Sequence, residues 1–153
     1  MSRPLALLLL LLAGLPAFAQ DTATRLAGFP RGQVILVTSA ARCLQIDAWF
    51  AESTEQRGRG LMYVDQMGEF EGMWFSYPEP AVIVMWMKNT VLPLDMVFVG
   101  RDGRVARIAA DTVPWSEERI SSGGPATGVL ELNAGFAARW GLARGDRVVV
   151  MAP

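Results

Sequence analysis

The sequence predicts a mainly β fold: a compact β-barrel or jelly-roll-like sandwich of about eight short strands with two short helices. Three observations predict it. Short apolar runs recur from Val34 to the end of the chain, and one of them (Leu44, Ile46, Ala48 and Phe50, with Gln45 and Asp47 between) has the two-residue period of a half-buried strand. Turn pairs such as Asp102-Gly103 and Gly145-Asp146 separate runs at strand spacing. Only 53–66 and 134–142 read as helix, which is too little for repeated βαβ units.

Taken in order, residues 20–32 are polar and broken by Gly28, Pro30 and Gly32, and read as an extended arm before the domain. Val34–Thr38 is the first strand, and the alternating run around Ile46 the second. Ser53 with Gln56 three residues on forms a capping box, Glu55 lies in the first turn, and Gly58 and Gly60 keep that helix short. Gly72–Tyr77, Val82–Lys88, Leu94–Gly100 and Arg104–Ala109 read as strands, the last two joined by the Asp102-Gly103 turn. Thr127–Leu132 is a further strand, Ala134–Leu142 a second short helix, and Arg147–Met151 the closing strand. Tryptophans at 49, 74, 86, 115 and 140 are core fillers or pocket walls.

The first 19 residues have the order of a secretory signal. One basic residue, Arg3, precedes an apolar run of 11 residues from Leu5 to Leu15, and Ala17-Phe18-Ala19 gives a small-x-small cleavage site. The run is short for a membrane anchor, which needs about 20 residues. The expected organisation is therefore a signal peptide over 1–19, an arm over 20–32, and a single β-rich domain over 33–153, placed in the periplasm or secreted after cleavage near Ala19-Gln20. Removing 19 of 153 residues leaves 134, in which 13 basic groups face 15 acidic ones, a net charge of −2. No basic cluster is present, so neither nucleic acid nor stable membrane insertion is expected.

Histidine is absent, which removes the commonest general base and metal ligand and all Ser/His and Cys/His pairs. Cys43 stands alone and forms no internal disulfide; no Lys or His adjoins it to activate the thiol. No cofactor is implied. The polar residues that stand out lie in Met85-Trp86-Met87-Lys88-Asn89-Thr90-Val91-Leu92-Pro93-Leu94-Asp95. Lys88 is the only lysine and Asn89 one of two asparagines. An ammonium is a compact donor whose charge responds to burial, where guanidinium does not. Asp95 sits in an apolar run on the face of Val97 and Val99, and Glu131 sits between Leu130 and Leu132 on the face of Val129. A buried carboxylate needs a partner or takes up a proton, and this leads to the expectation that Lys88, Asp95 and Glu131 converge. The candidate ligand-binding set is Trp86, Met87, Lys88, Asn89, Thr90, Asp95 and Glu131. The same residues also allow a turn between two strands with Asn89 in left-handed geometry and a purely structural ion-pair network. Met85 and Met87, on one strand face among six methionines between 62 and 96, are a remote Cu(I) candidate against the ordinary role of core filling.

These motifs together resemble one known family. Arg59-Gly60-Leu61-Met62, Gly72-Met73-Trp74-Phe75, Trp86-Met87-Lys88-Asn89-Thr90, Pro93-Leu94-Asp95, Val129-Leu130-Glu131-Leu132-Asn133-Ala134-Gly135 and Gly145-Asp146 occur in the order seen in the domain of unknown function, family 192. The likeness runs from about Val34 to Val150. Trp74 stands where that family usually has an aliphatic residue, and Met85 where it often has an aromatic one. The resemblance implies a compact β-barrel or jelly-roll sandwich with small helices, and no established activity, cofactor or catalytic residue. Three functions stay open: a non-catalytic accessory module binding a small ligand or protein; a periplasmic hydrolase or lyase using Lys88 with Asp95 or Glu131; and a motif that only locks a corner of the fold.

Overall fold

The computed structural model describes residues 22 and 24–153; the segment read as an export signal lies outside the described residues. Its strands are β1 (Arg31–Val37), β2 (Cys43–Ala51), β3 (Glu71–Met85), β4 (Leu94–Val99), β5 (Val105–Ala109), β6 (Ile120–Asn133) and β7 (Arg147–Met151). The helices are α1 (Thr54–Arg59) and α2 (Phe136–Trp140). All seven strands join one sheet in the order β5-β4-β6-β3-β2-β1-β7. Every neighbouring pair is antiparallel except β2 and β3, whose parallel pairing needs the crossover that α1 and residues 60–70 supply.

The sheet curls into a half-barrel. Its edge strands meet at one end, where Val105 N donates to Asp146 O (2.9 Å), Gly145 N to Val105 O (2.8 Å) and Val148 N to Gly103 O (2.8 Å). One curled sheet therefore stands where the sequence left barrel and sandwich open. The strand count falls from about eight to seven because the runs Gly72–Tyr77 and Val82–Lys88 belong to a single strand. β3 passes through Pro78 and Pro80 by shifting register against β6 between Ser76 and Ala81 and again between Val82 and Val84. Proline lacks the N–H for a ladder bond, so it fits a strand only at such irregularities or on an open edge.

Each face of the sheet carries its own core. On one, Val34, Leu36, Ile46, Phe50, Trp74 and Leu132 pack with Phe136 and Ala137 of α2. On the other, Met73, Phe75, Met85, Met87, Met96 and Phe98 pack with Leu26, Phe29, Leu61 and Val64. The stretch read as an extended arm is thus part of the domain. Leu26 and Phe29 are buried, Leu26 N donates to Thr22 O (3.1 Å), and β1 has already begun at Arg31. Two large residues in a polar stretch showed no period, and only the covered sheet face gives them a place. Gly128 is fixed by contact: a Cβ there would lie 2.2 Å from the Trp74 ring.

The capping box read from Ser53 and Gln56 forms. Ser53 Oγ accepts from Gln56 N (3.1 Å), and Gln56 Oε1 accepts from Ser53 N (3.0 Å). Gly60 then ends α1 at φ 47°, where a Cβ would also press the Phe75 ring at 3.0 Å. The Asp102-Gly103 and Gly145-Asp146 turns both form, with Gly103 and Gly145 at positive φ.

Candidate functional site

β3 ends at Met85, and the chain enters a turn closed by Thr90 N donating to Met87 O (3.0 Å). Lys88 and Asn89 occupy its centre, with Asn89 in the left-handed region at φ 56°. The turn pins two further loops. Asn89 O accepts from Tyr63 N (2.8 Å), Thr90 O from Trp115 N (3.1 Å), and Ser116 O from Met87 N (2.9 Å). Tyr63 and Trp115 are themselves left-handed, at φ 61° and 64°, and their rings meet edge-on with centroids 6.5 Å apart. Bulky residues adopt such angles only where surrounding contacts over-determine them. The Lys-Asn-Thr turn is therefore the backbone clamp of this corner, as well as the place where its one ammonium emerges.

The two carboxylates do not converge. In the β4–β6 ladder Asp95 lies opposite Leu132 and Met96 lies opposite Glu131. Directly opposed residues share a face and neighbours alternate, so Asp95 and Glu131 project to opposite sides of the sheet. Asp95 is fully buried and is consumed by the fold. Its Oδ1 accepts from Asp111 N (2.9 Å) and Gly135 N (3.2 Å), and its Oδ2 accepts from Ala137 N (2.9 Å). It caps α2 from a neighbouring strand, supplying the acceptor that Gly135 at the helix start lacks. The expectation that Asp95 joins Lys88 is thereby corrected.

Glu131 faces the methionine-rich core, yet its carboxyl borders a cleft of about 290 Å³. The cleft lies between α1, the end of β3 and the 88–90 turn. Lys88, Thr90 and Trp86 form one side, and Arg57, Arg59 and Tyr77 are among the other lining residues. Glu131 is 4% exposed and makes no hydrogen bond or ion pair with any described residue. Burial alone pushes its acid up to about 8 from 4.5, so at neutral pH the group is mostly a carboxylic acid and can donate. Burial also raises the Tyr77 phenol above its ordinary value; the Arg57 guanidinium lowers it, and Glu131 adds to the rise. Tyr77 Oη lies 3.8 Å from Met85 Sδ, and the Arg57 guanidinium sits 5.1 Å above the Tyr77 ring.

Lys88 stands at the mouth. Its side chain is 42% exposed, with Nζ 5.4 Å from the Trp86 ring and 3.9 Å from Glu117 Oε1. Of the predicted set, then, Trp86, Lys88, Thr90 and Glu131 border one cleft. Asn89 serves the turn, its Nδ2 3.7 Å from Met62 Sδ, and Met87 is wholly buried. Met85 and Met87 do not make a copper face. Met87 lies beyond the strand end, both belong to the core, and their sulfurs contact different hydroxyls, Tyr77 Oη and Thr112 Oγ1 (3.2 Å). No cluster of metal-ligating His, Cys, Asp or Glu occurs among the described residues. Cys43 is exposed at the start of β2, apart from the cleft.

Sequence reasoning missed Arg57, Arg59 and Tyr77. For Arg59 the signals were the family-like run Arg59-Gly60-Leu61-Met62 and Gly60, which brings the helix end against Phe75 of β3. A larger cleft of about 730 Å³ is bordered by Arg31, Trp49, Asp65, Glu71 and Asn133. Most of its polar groups are matched: Arg31 to Glu71 (3.4 Å), Thr22 to Asp65 (3.4 Å), and Asn133 Nδ2 to Met67 O and Gly68 O (both 3.0 Å). The smaller cleft is the one with an unmatched buried acid.

Solved structures similar to this chain include the following two. One is a Sinorhizobium meliloti 1021 protein provisionally described as a transcription regulator. It is 42% identical, with a TM-score of 0.78, over 80% of this chain and 95% of its own. The other, from Novosphingobium aromaticivorans DSM 12444, is a protein of unknown function. It is 37% identical, with a TM-score of 0.78, over 80% of this chain and 87% of its own. No curated protein matches. The family model for domain of unknown function 192, uncharacterised ACR, matches residues 35–150 and so spans all seven strands but the start of β1 and the last residue of β7; the chain belongs to that family.

Proposed function

We propose that the protein is an exported, non-catalytic binding module, and that its cleft at Lys88 and Glu131 takes a small ligand, or a short piece of a protein partner, through an anionic or hydrogen-bonding group. The observation that carries this is Glu131: a buried acid with no partner in the described structure, opening onto a cleft. The Glu131 oxygens are not among the fully enclosed unpartnered atoms, of which Trp140 Nε1 is the one among the described residues, so they reach the cleft, where a ligand can supply the partner. Trp86 and Tyr77 supply aromatic walls and Lys88 a positive rim, which is the usual makeup of a small recognition site.

The test is a fragment screen by NMR. Lys88 is the sole lysine, so its side-chain methylene beside Nζ gives one resolvable signal. Ligands that shift Lys88 together with Tyr77 and Trp86 support the reading. A screen whose hits all map to the Arg31–Trp49 cleft refutes it. Export is tested separately, by fractionation and N-terminal sequencing of the mature protein; an intact Met1 on a cytoplasmic product refutes that part.

The same geometry favours a second reading, acid–base chemistry: Glu131 borders the cleft, and burial pushes its acid up to about 8. Asp95 has no part in it, because its oxygens are occupied by backbone amides on the other face. DNA binding, which the description of the Sinorhizobium protein would bring, draws no support from a chain of 14 basic and 15 acidic residues without a basic run.

A further inference from the structure

We propose that the ligand of this cleft is a small organic carboxylate with an apolar, ring-sized body, held by a hydrogen bond between its carboxylate and the Glu131 carboxyl, with Lys88 at the mouth. This rests on the binding reading above and names the class of ligand.

Three features of the cleft lead there. The first is charge. Arg57 and Arg59 of α1 and Lys88 of the turn border it, against the single acid of Glu131. Neither arginine is paired with a carboxylate among the described residues: Arg57 donates to Glu52 O, Ser76 O (3.0 Å) and Thr54 Oγ1 (3.3 Å), and Arg59 to Arg25 O. The one carboxylate near Lys88 among the described residues is the exposed Glu117, at 3.9 Å. An ammonium ligand would enter against this field, whereas an anion is drawn in.

The second feature is the polarity of the hydrogen bond on offer. A buried acid that holds its proton is a donor seeking an acceptor. A ligand carboxylate meets it as one proton shared between two carboxyl groups, the stable state of a close carboxyl pair. A phosphate dianion demands several converging charged donors, and two of the cleft's three cations, Arg57 and Arg59, already donate to backbone carbonyls. The third feature is the wall. Leu61, Phe75, Met85 and Trp86 present apolar surface, and about 290 Å³ accommodates one ring with a short acid arm and little more.

The proton sets the pH dependence. The charged and titratable groups that line the cleft with Glu131 are Arg57 and Arg59 from α1, Tyr77 from β3, and Lys88 from the turn, with Glu117 beyond it; burial is what holds the Glu131 proton. The arginines stay charged, and burial holds the phenol above its ordinary value, so Glu131 titrates before Tyr77. Once Glu131 has lost its proton, above about pH 8, each binding event must draw one from solvent. Affinity for a carboxylate then falls about tenfold for each further pH unit.

Isothermal titration with benzoate tests this, with benzamide as its neutral counterpart, in two buffers of different ionisation heat. The wild-type protein is expected to bind benzoate and not benzamide, to lose affinity about tenfold per unit above pH 8, and to take up one proton there. Glu131→Gln keeps a neutral donor and is expected to bind benzoate with no such loss. Benzoate binding at the cleft that is flat with pH in the wild type, or that falls equally in E131Q, overturns the shared-proton bond and leaves the binding reading standing. Benzamide or inorganic phosphate shifting Lys88 and Tyr77 while benzoate does not overturns the ligand class alone. If no probe or fragment shifts those residues, both readings fall.

Discussion

Replacing Glu131 by Gln should stabilise the protein, and increasingly so as the pH rises. In the folded chain the acid is pushed up to about 8 by burial, against 4.5 when unfolded. The sign follows from proton binding. Between those values the native state holds a proton that the unfolded state has released, so stability is full below about pH 4.5 and falls as pH rises toward 8. The folding constant drops about tenfold per pH unit across that window, which sums to roughly 5 kcal/mol at its upper end and about 3 kcal/mol at pH 7. Gln has nearly the same shape and never ionises, so E131Q escapes the loss. Urea titrations of both proteins at pH 4, 5, 6, 7 and 8 read the difference directly. It should be small at pH 4 and grow with each step. A difference independent of pH would mean that Glu131 ionises in the folded protein without penalty, and the reasoning from its unmatched burial would be wrong.

Four further changes probe the same frame. Asp95→Ala leaves the Asp111, Gly135 and Ala137 amides without their acceptor, and should cost about 3 kcal/mol or more in urea unfolding, with faster hydrogen exchange at Ala137. Gly128→Val drives a side chain into the Trp74 ring and should lower stability by about 2 kcal/mol or more; equal midpoints for the two proteins would contradict that packing. Asn89→Gly should be nearly neutral and Asn89→Val should cost about 1–2 kcal/mol in the same assay, because φ is 56° there. Lys88→Met should change stability by less than about 1 kcal/mol, since its ion pair is exposed; a larger loss in chemical denaturation would return Lys88 to a structural role.

Much of the architecture was legible because it is local. The Ser53–Gln56 cap, the glycine turns at 103 and 145, and the left-handed Asn89 all follow from short-range chemistry and appear where expected. The Pro78–Pro80 interruption misled, since one bulged strand and two separate strands read alike until the pairing with β6 is known. The buried Leu26 and Phe29 were missed for a related reason: their partners lie across the chain on a sheet face that no local pattern reveals.

Lys88 and the two carboxylates show the division most clearly. The sequence by itself determined that Lys88 stands alone among arginines, that Asp95 and Glu131 sit in apolar strands, and that each therefore needed a partner or a proton. Strand alternation even assigned them the faces of Val97 and Val129. Only the tertiary structure decided what those faces meet. The register of β4 against β6 sends Asp95 to the amides of α2 and Glu131 to the cleft behind Lys88. Alternation is a property of one strand, whereas register is a relation between two. It is set by the packing of the whole sheet, and a one-residue slip of β4 would have turned Asp95 onto the face of Glu131.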